Sequence, residues 1–279
     1  FHHVALFPPE QWPRAIGVNG MLMIEGKQMH KSKGNFVTMK NAVERYGADA
    51  TRCALLLGAE GMDDPDWRSE NAADIQGKLE SLYNFAKGII ETAKSDEKTH
   101  LEKWLLSKLQ QRIAAVTENL EELKTRTALE IALFETWNDF RWYVHRKGKT
   151  EAKALHEALE VWLKLLAPFA PYVCEELWSE MGGVGFISTA EWPQVDDGKV
   201  DVLAEERENL ITDLIEDTLN VLKATKITPT RICYYTAAMW KWKVYQNVLG
   251  KAVQGEVKVS EVMKELAKDS ALKENLKAV

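Results

Sequence analysis

The chain has 279 residues, of which 46% are hydrophobic and 28% are charged. This composition excludes a disordered chain, and the length suffices for a large core divided among two or three compact units. Lysine and arginine total 36 against 42 aspartate and glutamate residues, and the net charge is −6. The totals exclude a strongly basic nucleic-acid-binding protein, but they remain compatible with RNA binding by cations confined to one face.

Cysteine spacing and apolar runs bear on the compartment. Cys53, Cys174 and Cys233 lie far apart and lack the Cys-x-x-Cys spacing of zinc or redox sites. We expect buried, reduced thiols, which fit a cytoplasmic protein. The longest apolar runs, such as residues 53–57, fall far below the ~20 residues of a membrane-spanning helix, and no secretory signal is recognised. Because the chain begins at Phe1 rather than Met, we also expect a fragment of a longer protein.

Residues 1–35 are predicted to form strand and loop. Pro8, Pro9 and Pro13 break any helix ahead of a strand candidate over residues 20–24. We interpret this segment as the edge of a larger sheet.

A short lysine-rich loop follows over residues 26–35, with a glycine near each end. Lys31 and Lys33 carry mobile ammonium groups, Ser32 adds a hydroxyl, and the glycines permit a hinge. Such a loop can close on a nucleotide and stabilise the charge that builds up on departing pyrophosphate. A Walker A loop is excluded, because that motif needs a glycine directly before its Lys-Ser and His30 occupies the place. Taken alone, the motif is better explained as a solvated basic turn.

Helical signals begin after the loop. Thr38 is a candidate N-cap for a helix through Tyr46, and Gly47 can end that helix. Helical spacing resumes over residues 48–57. We treat residues 36–70 as one helical segment that follows the loop.

The end of that segment, residues 60–70, is acidic. Its carboxylates permit either a metal site or a packed turn. Pro65 and Trp67 favour the packed turn, and we predict no metal site. The carboxylates are Glu60, Asp63, Asp64, Asp66 and Glu70.

The central block, residues 71–193, is predicted to be an antiparallel helical bundle. A long helix is expected from Asn71 to Lys94, and three further apolar stripes repeat every three or four residues. The first stripe is Leu105, Leu109, Ile113, Val116, Leu120 and Leu123; the second is Leu129, Leu133, Trp137, Phe140 and Val144; the third is Leu155, Leu159, Trp162 and Leu166.

Basic and aromatic residues alternate near residue 145 of the bundle. Cations beside aromatic rings can meet RNA phosphates and stack on unpaired bases. The alternative is a solvated helix end whose aromatic rings turn inward. In the setting of a bundle we favour RNA contact, and the candidate residues are Arg141, Trp142, Arg146, Lys147 and Lys149.

A glycine-rich linker with a charge shift, residues 182–198, precedes the last unit. Residues 201–217 are predicted to form an acidic helix. Ile232–Thr236 is a strand candidate because it contains β-branched and aromatic residues. A helix over Trp240–Leu249 and a charged tail follow. We therefore predict a small α+β unit over residues 200–279.

Five residues of the loop match the second signature of class I aminoacyl-tRNA synthetases, which is Lys-Met-Ser-Lys-Ser followed by x-Gly-Asn. Gln28 and His30 stand where the family has its first lysine and its first serine. The matching residues are Met29, Lys31, Ser32, Gly34 and Asn35.

Further blocks extend this resemblance along nearly the whole chain. Residues 166–178 resemble the block by which class Ia anticodon-binding bundles are recognised, and residues 47–52 resemble the usual Gly-Ala-Asp-x-x-Arg. The acidic turn over residues 64–68 and the segments 222–226 and 238–241 are similar to the archaeal and eukaryotic leucyl-tRNA synthetase family.

The resemblance implies a mainly α fold. It consists of the end of a class I Rossmann catalytic domain over residues 1–35, a stem-contact-like segment over 36–70, an anticodon-binding bundle over 71–193 and the start of a tRNA-binding C-terminal domain over 200–279.

The resemblance also implies an ATP-dependent, cytoplasmic and monomeric enzyme that attaches leucine to tRNA(Leu) through leucyl-adenylate. Mg²⁺ would come with the ATP phosphates, and no tightly bound cofactor is expected. Lys31 would be catalytic, in an ATP-binding loop of Met29, His30, Lys31, Ser32, Lys33 and Gly34.

Two alternatives stay open. The chain lacks the class I His-x-Gly-His element and a leucine pocket, so it is expected to be inactive alone, and a tRNA-binding module without catalysis is possible. A class Ia enzyme for valine, isoleucine or methionine shares the loop and the bundle motif.

Overall fold

The computed structural model describes residues 2–14, 16–18, 20–30, 32, 34–93, 95–96, 99–148 and 153–253, together with residues 260, 264 and 268, and for His2 and His3 the backbone only. The chain divides into two compact units, residues 1–215 and 216–279. The four domain boundaries given above are finer than this division and stay predictions. Within the described residues, no helix is both long and apolar enough to cross a membrane.

A small sheet carries the base of the lysine-rich loop. Strands β1 (Met23–Ile24) and β2 (Lys27–Gln28) form an antiparallel hairpin, and β1 pairs in parallel with β3 (Asp66–Trp67), which gives the order β2-β1-β3. The hairpin turn has positive φ at both central residues, Glu25 (50°) and Gly26 (73°), which matches the right-handed twist of the strands.

The predicted absence of helix before the strand is wrong. Helix α1 (His2–Leu6) precedes Pro8, and a 3₁₀ turn occupies Pro9–Gln11. The first proline comes too late in the chain to prevent α1, and proline is tolerated in the first turn of the 3₁₀ segment.

The two helices predicted after the loop are confirmed. Helix α2 (Met39–Tyr46) begins where Thr38 Oγ1 accepts a hydrogen bond from the Asn41 N–H at 3.1 Å. It ends at Gly47, whose φ of 85° favours glycine, and α3 (Ala48–Leu56) follows at once.

The acidic segment before the bundle is a packed turn. Asp64 Oδ1 accepts from the Met21 N–H at 2.6 Å, and Asp66 Oδ1 accepts from the Gly26 N–H at 2.9 Å. Gly20 is required here, because a Cβ would lie 2.3 Å from Asp64 Oδ1. No group of three His, Cys, Asp or Glu residues in the described part of the chain is arranged to hold a metal ion.

The bundle is built from amphipathic helices around one apolar core. Its largest fully buried side chains include Trp162, Tyr143 and Phe140, and Phe169 in the turn before the last helix is also buried. The helices are α4 (Ser69–Ile90), α5 (His100–Glu121), α6 (Thr125–Glu130), α7 (Thr136–Lys147), α8 (Lys153–Leu166) and α9 (Pro171–Glu180).

A π-helical turn, Ile131–Glu135, joins α6 to α7. Trp162 Nε1 donates to the Ala132 carbonyl at 2.7 Å, and Thr136 Oγ1 donates to the Ile131 carbonyl at 2.9 Å. The Trp162 ring stacks on Phe140, with 4.5 Å between ring centres. The Ile131 carbonyl also accepts the Thr136 N–H, five positions along the chain, so the side-chain donors add to the backbone bonds of the π turn.

The last predicted strand does not form. After the 3₁₀ turns Ile187–Thr189 and Asp197–Lys199, the chain enters α10 (Val202–Thr225), and a later helix, α11 (Met239–Ala252), confirms the predicted one. Residues 226–238 between them contain no regular element. Ile232–Thr236 has no strand to pair with in the described part of this unit, and β-propensity alone does not sustain a strand.

Hydrogen bonds join α3 to the start of α9 and to the turn before it. Asp49 is 5% exposed and accepts from the backbone N–H groups of Val173 at 2.7 Å and Tyr172 at 3.3 Å. Arg52 donates to the carbonyls of Pro168 at 3.0 Å and Phe169 at 3.3 Å. The two strongest sequence blocks outside the loop therefore meet in space, and we name this contact the α3–α9 clamp.

We predict that Asp49→Ala destabilises the first unit by about 1 to 2 kcal/mol, because two N–H groups at the start of α9 lose their acceptor. Asp49→Asn keeps an acceptor oxygen and is expected to cost less. Urea denaturation followed by tryptophan fluorescence measures the effect, with the exposed Asp213→Ala as control. An Asp49→Ala midpoint equal to that of the control would contradict a stabilising role.

Candidate functional site

The base of the lysine-rich loop is closed by Asn35. Its Oδ1 accepts from the His30 N–H at 3.1 Å, its Nδ2 donates to the Gln28 carbonyl at 2.8 Å, and an isolated antiparallel bridge joins His30 to Asn35. Gly34 has a φ of 75°, in the region that favours glycine. The Gly-Asn pair of the motif thus has a structural use, because it turns the chain back and locks the base of the loop.

The predicted loop residues differ in their surroundings. Met29 is partly buried and packs against the core, while Ser32 and Gly34 are exposed. Lys31 and Lys33, for which phosphate contact was predicted, lie outside the described residues. Met29 therefore anchors the loop.

Arg146 and Trp142, two of the predicted RNA contacts, share a buried carboxylate. Glu208 of α10 is 1% exposed and accepts from Arg146 Nε at 2.8 Å and from Trp142 Nε1 at 2.9 Å. His100 Nε2 lies 2.9 Å from its other oxygen. Burial acts to raise the pKa of Glu208, but the hydrogen bonds from these three side chains outweigh it and lower the pKa.

Lys147 is engaged by a second buried carboxylate. Its Nζ lies 2.8 Å from Glu102 Oε1, and the same carboxylate accepts from the Tyr143 hydroxyl at 2.7 Å and the Thr99 N–H at 2.6 Å. Burial opposes ionisation of Glu102, yet these hydrogen bonds prevail and lower its pKa to about 2. The Lys147 ammonium therefore joins α7 to α5.

Arg141 and His145 occupy the exposed side of α7. They line a cavity of about 620 Å³, together with Phe85 of α4 and Trp142. Lys149 lies outside the described residues, so the structure brings together four of the five predicted RNA contacts on one helix and leaves Arg141 as the exposed cation among them.

Lys78 of α4, which no motif identifies, is a cation that lines a separate cavity of about 400 Å³. Its ammonium lies 4.2 Å from the ring centre of Phe134. Burial lowers the pKa of Lys78, and the positive charge of Arg141 lowers it further. The sequence could have indicated that Lys78 lies near the core through its position beside Ile75 and Leu79, which face inward.

We predict that Glu102→Gln destabilises the bundle by about 3 kcal/mol near neutral pH, because it leaves Lys147 without its carboxylate. The folded pKa of about 2 lies below the ordinary 4.5, so the stabilisation is complete above pH 4.5 and is lost as pH falls toward 2.

Denaturation midpoints measured across this pH range test the prediction, with the exposed Glu121→Gln as control. The difference between the unaltered chain and Glu102→Gln should shrink as the pH drops. A difference that stays constant with pH would show that the Glu102 charge does not carry the effect.

Two protein-family models match the chain. Residues 3–87 match the model described as tRNA synthetases class I (M), and residues 102–234 match the anticodon-binding domain of tRNA ligase. The sheet and loop thus fall in the class I synthetase match, and the bundle from α5 onward falls in the anticodon-binding match. The fold is that of a class I tRNA synthetase with its anticodon-binding bundle.

Relatives that match nearly the whole chain are leucine-tRNA ligases of archaea. Those of Methanococcoides burtonii and Pyrococcus abyssi are 39% and 40% identical over 100% of this chain, and that of Archaeoglobus fulgidus is 41% identical over 98%. The chain is thus similar, along nearly its whole length, to a segment of leucine-tRNA ligases. It spans 29%, 29% and 28% of the length of these three relatives.

A solved structure shares the fold. The crystal structure of the ternary complex of Agrobacterium radiobacter K84 agnB2 LeuRS-tRNA-LeuAMS has a TM-score of 0.56 to this chain and 24% sequence identity. The match covers 65% of this chain and 24% of that chain. The similarity supports the bundle architecture.

Proposed function

We propose that the whole protein carrying this chain is a leucine-tRNA ligase, which activates leucine with ATP as leucyl-adenylate and transfers it to tRNA(Leu). The proposal is carried by sequence identity to proteins named leucine-tRNA ligase. This identity is 36% to 41% and extends over 98% or more of the chain. The same similarity argues against the valine, isoleucine and methionine alternatives.

Lys31 would act in the first step. An ammonium group held over the β- and γ-phosphates stabilises the charge that appears when pyrophosphate leaves, and a closing loop makes that contact strongest in the transition state. The lock between Asn35 and His30 supports this role, because it fixes the chain on the two sides of the loop. Mg²⁺ would enter with the ATP phosphates, whose oxygens are the ligands that this ion prefers.

The bundle would bind tRNA through the exposed face of α7. Arg141 offers a cation that is not engaged by a described carboxylate, and Trp142 offers a ring whose indole nitrogen is fixed by Glu208. Arg146 and Lys147 would support the face by holding α10 and α5 in place. Direct contact of Arg146, Lys147 and Lys149 with RNA stays a prediction.

A cytoplasmic location accords with the thiol chemistry. Cys53 and Cys174 are buried and free, and burial raises the pKa of Cys53 to about 12 and also raises that of Cys174. The expectation of a buried thiol is wrong for Cys233, which is exposed. Such thiols are unreactive and suit a reducing compartment. The monomeric state stays a prediction.

We predict that Lys31→Ala lowers kcat for leucine-dependent ATP–pyrophosphate exchange about 100- to 1,000-fold in a protein of the relatives' full length that contains this chain. The KM for leucine should change little, because Lys31 would act on departing pyrophosphate. Lys40→Ala on α2, where Lys40 is exposed and paired with Glu44 at 3.7 Å, is the control. Unchanged exchange in Lys31→Ala, or exchange driven by methionine or valine instead of leucine, would overturn the proposal.

The non-catalytic alternative has its own test on the 279-residue chain. We expect this chain to bind a tRNA(Leu) transcript with an affinity that falls linearly in log salt, and to form no leucyl-adenylate. Fluorescence anisotropy and a pyrophosphate-release assay measure the two properties. Adenylate formation by this chain would contradict the assignment of the loop to a larger catalytic site.

A further inference from the structure

One face of α7 carries three exposed polar side chains that are not bonded to the rest of the bundle. Asn138, Arg141 and His145 form no side-chain hydrogen bond or ion pair within the described part of the chain. They are spaced by three and four residues, so they share one face of the helix. The adjoining Asp139 differs from them, because it is bonded to Arg112 at 2.7 Å.

The same three side chains line a single cavity. It has a volume of about 620 Å³, and Phe85 of α4 and Trp142 of α7 supply aromatic rings to its lining. This volume lies in the range of about 300 to 1,000 Å³ that is usual for ligand sites. No carboxylate is found among the described residues that line the cavity. In a chain with a net charge of −6, this local composition favours an anionic ligand.

The two rings of the cavity are held by contacts inside the bundle. Trp142 Nε1 donates to Glu208 Oε2 at 2.9 Å. Phe85 packs edge-on against Phe140, with 6.3 Å between ring centres. A ring that is already held in place loses little conformational entropy when a base stacks on it.

The groups of the cavity match the parts of an unpaired nucleotide. The guanidinium of Arg141 can bind a phosphate through two N–H groups, and His145, one turn further along the helix, can add another N–H donor. The aromatic rings offer a surface on which a base can stack. The Asn138 amide can donate and accept at once, and this pattern matches the N6 amino group and N7 of adenine.

We propose that this face of α7 is a subsite for one unpaired nucleotide of RNA, with adenine preferred. Trp142 stacks on the base, Asn138 pairs with the edge of the base, and Arg141 and His145 bind the adjoining phosphate. The inference rests on the proposed binding of tRNA by the bundle, and it adds Asn138, His145 and the base preference. The ligand class is single-stranded or loop RNA, because bases in a duplex are not free to stack on a side chain.

The first test measures binding of the 279-residue chain to a fluorescently labelled tRNA(Leu) transcript, by anisotropy over a series of salt concentrations. Arg141→Gln should weaken binding about fivefold and lower the slope of log K against log salt by about 1. Asn138→Ala and His145→Ala each remove one hydrogen bond and should weaken binding about fivefold. For Asn138→Ala the salt slope should stay unchanged, because no charge is removed.

The second test measures base preference, with unlabelled RNA oligomers of about ten nucleotides as competitors for the labelled transcript. Oligo(A) should compete better than oligo(U) and oligo(C), and Asn138→Ala should narrow this difference. AMP should compete poorly, because a free nucleotide makes only one of the contacts that a strand makes together.

Controls separate binding from folding. Arg126→Gln removes an arginine that is paired with Glu130 at 2.9 Å, and Asn220→Ala changes an exposed asparagine of α10; both should leave the affinity nearly unchanged. The melting temperature of Asn138→Ala should equal or exceed that of the unaltered chain, because alanine has the higher helix propensity. Trp142→Phe and Trp142→Leu both lose the bond to Glu208, but only Trp142→Phe keeps a ring and should retain binding.

The outcomes distinguish the subsite from tRNA binding in general. If the unaltered chain binds tRNA(Leu) and the Asn138 and Arg141 variants bind equally well with the same salt slope, the subsite is overturned and tRNA binding stands. If the unaltered chain does not bind tRNA(Leu), both are overturned. The subsite is also overturned if Asn138→Ala leaves the base preference unchanged or loses affinity together with thermal stability. Competition by AMP as strong as that by oligo(A) would assign the cavity to a free nucleotide instead of RNA.

Discussion

The α3–α9 clamp holds α3, which follows the lysine-rich loop in the chain, against the last helix of the bundle. Asp49 and Val173 are 124 positions apart, and their 2.7 Å hydrogen bond fixes the first turn of α9 against α3. Burial raises the pKa of Asp49, and the N–H groups of α9 and the charge of Arg52 only partly offset this effect. A carboxylate in this position is costly, and in return it supplies the acceptor for two N–H groups in the first turn of α9, which have no partner within the helix.

The clamp also explains the composition of residues 168–171, Pro-Phe-Ala-Pro, within the block over residues 166–178. Pro171 occupies the first turn of α9, where the N–H it lacks is not needed, and Phe169 fills the core. The carbonyls of residues 168 and 169 then point away from any helix and need donors, which Arg52 supplies. The two sequence blocks are thus complementary halves of one contact, and neither would be satisfied without the other.

Buried carboxylates also decide which cations of α7 remain exposed. The chain has a net charge of −6, and some of the cations in the basic stretch near residue 145 are paired with carboxylates. Glu102 and Glu208, which come from other helices, engage Lys147 and Arg146. Arg141 remains outside this network. The cationic face of an acidic protein is therefore defined as much by its internal carboxylates as by its cations.

Local signals in the sequence were sufficient to predict most of the helices. Thr38 and Gly47 act within one turn of their own position, and apolar spacing of three and four residues identifies the bundle helices. Contacts between residues far apart in the chain could not be predicted from such local signals. The π turn depends on Trp162, which reaches Ala132 from 30 positions away, and the Ile232–Thr236 segment has strand propensity but no described partner strand. For the same reason the sequence predicts RNA contact for Arg141 and Arg146 alike. In the structure Arg146 is bonded to Glu208, which lies 62 positions further along the chain, whereas Arg141 is not.

The small sheet connects the loop base directly to α4. Glu25, in the hairpin turn, donates its N–H to the Trp67 carbonyl at 3.1 Å, and its side chain accepts from the Ser69 N–H at 3.1 Å. Ser69 is the first residue of α4, so the hairpin that leads into the loop also supplies an acceptor at the start of this helix. Since Trp67 is 5% exposed and packs in the core, the hairpin, β3 and the first turn of α4 are held as one piece. The base of the lysine-rich loop is therefore joined to β3 by a backbone hydrogen bond and to the start of α4 by a hydrogen bond to the Glu25 side chain.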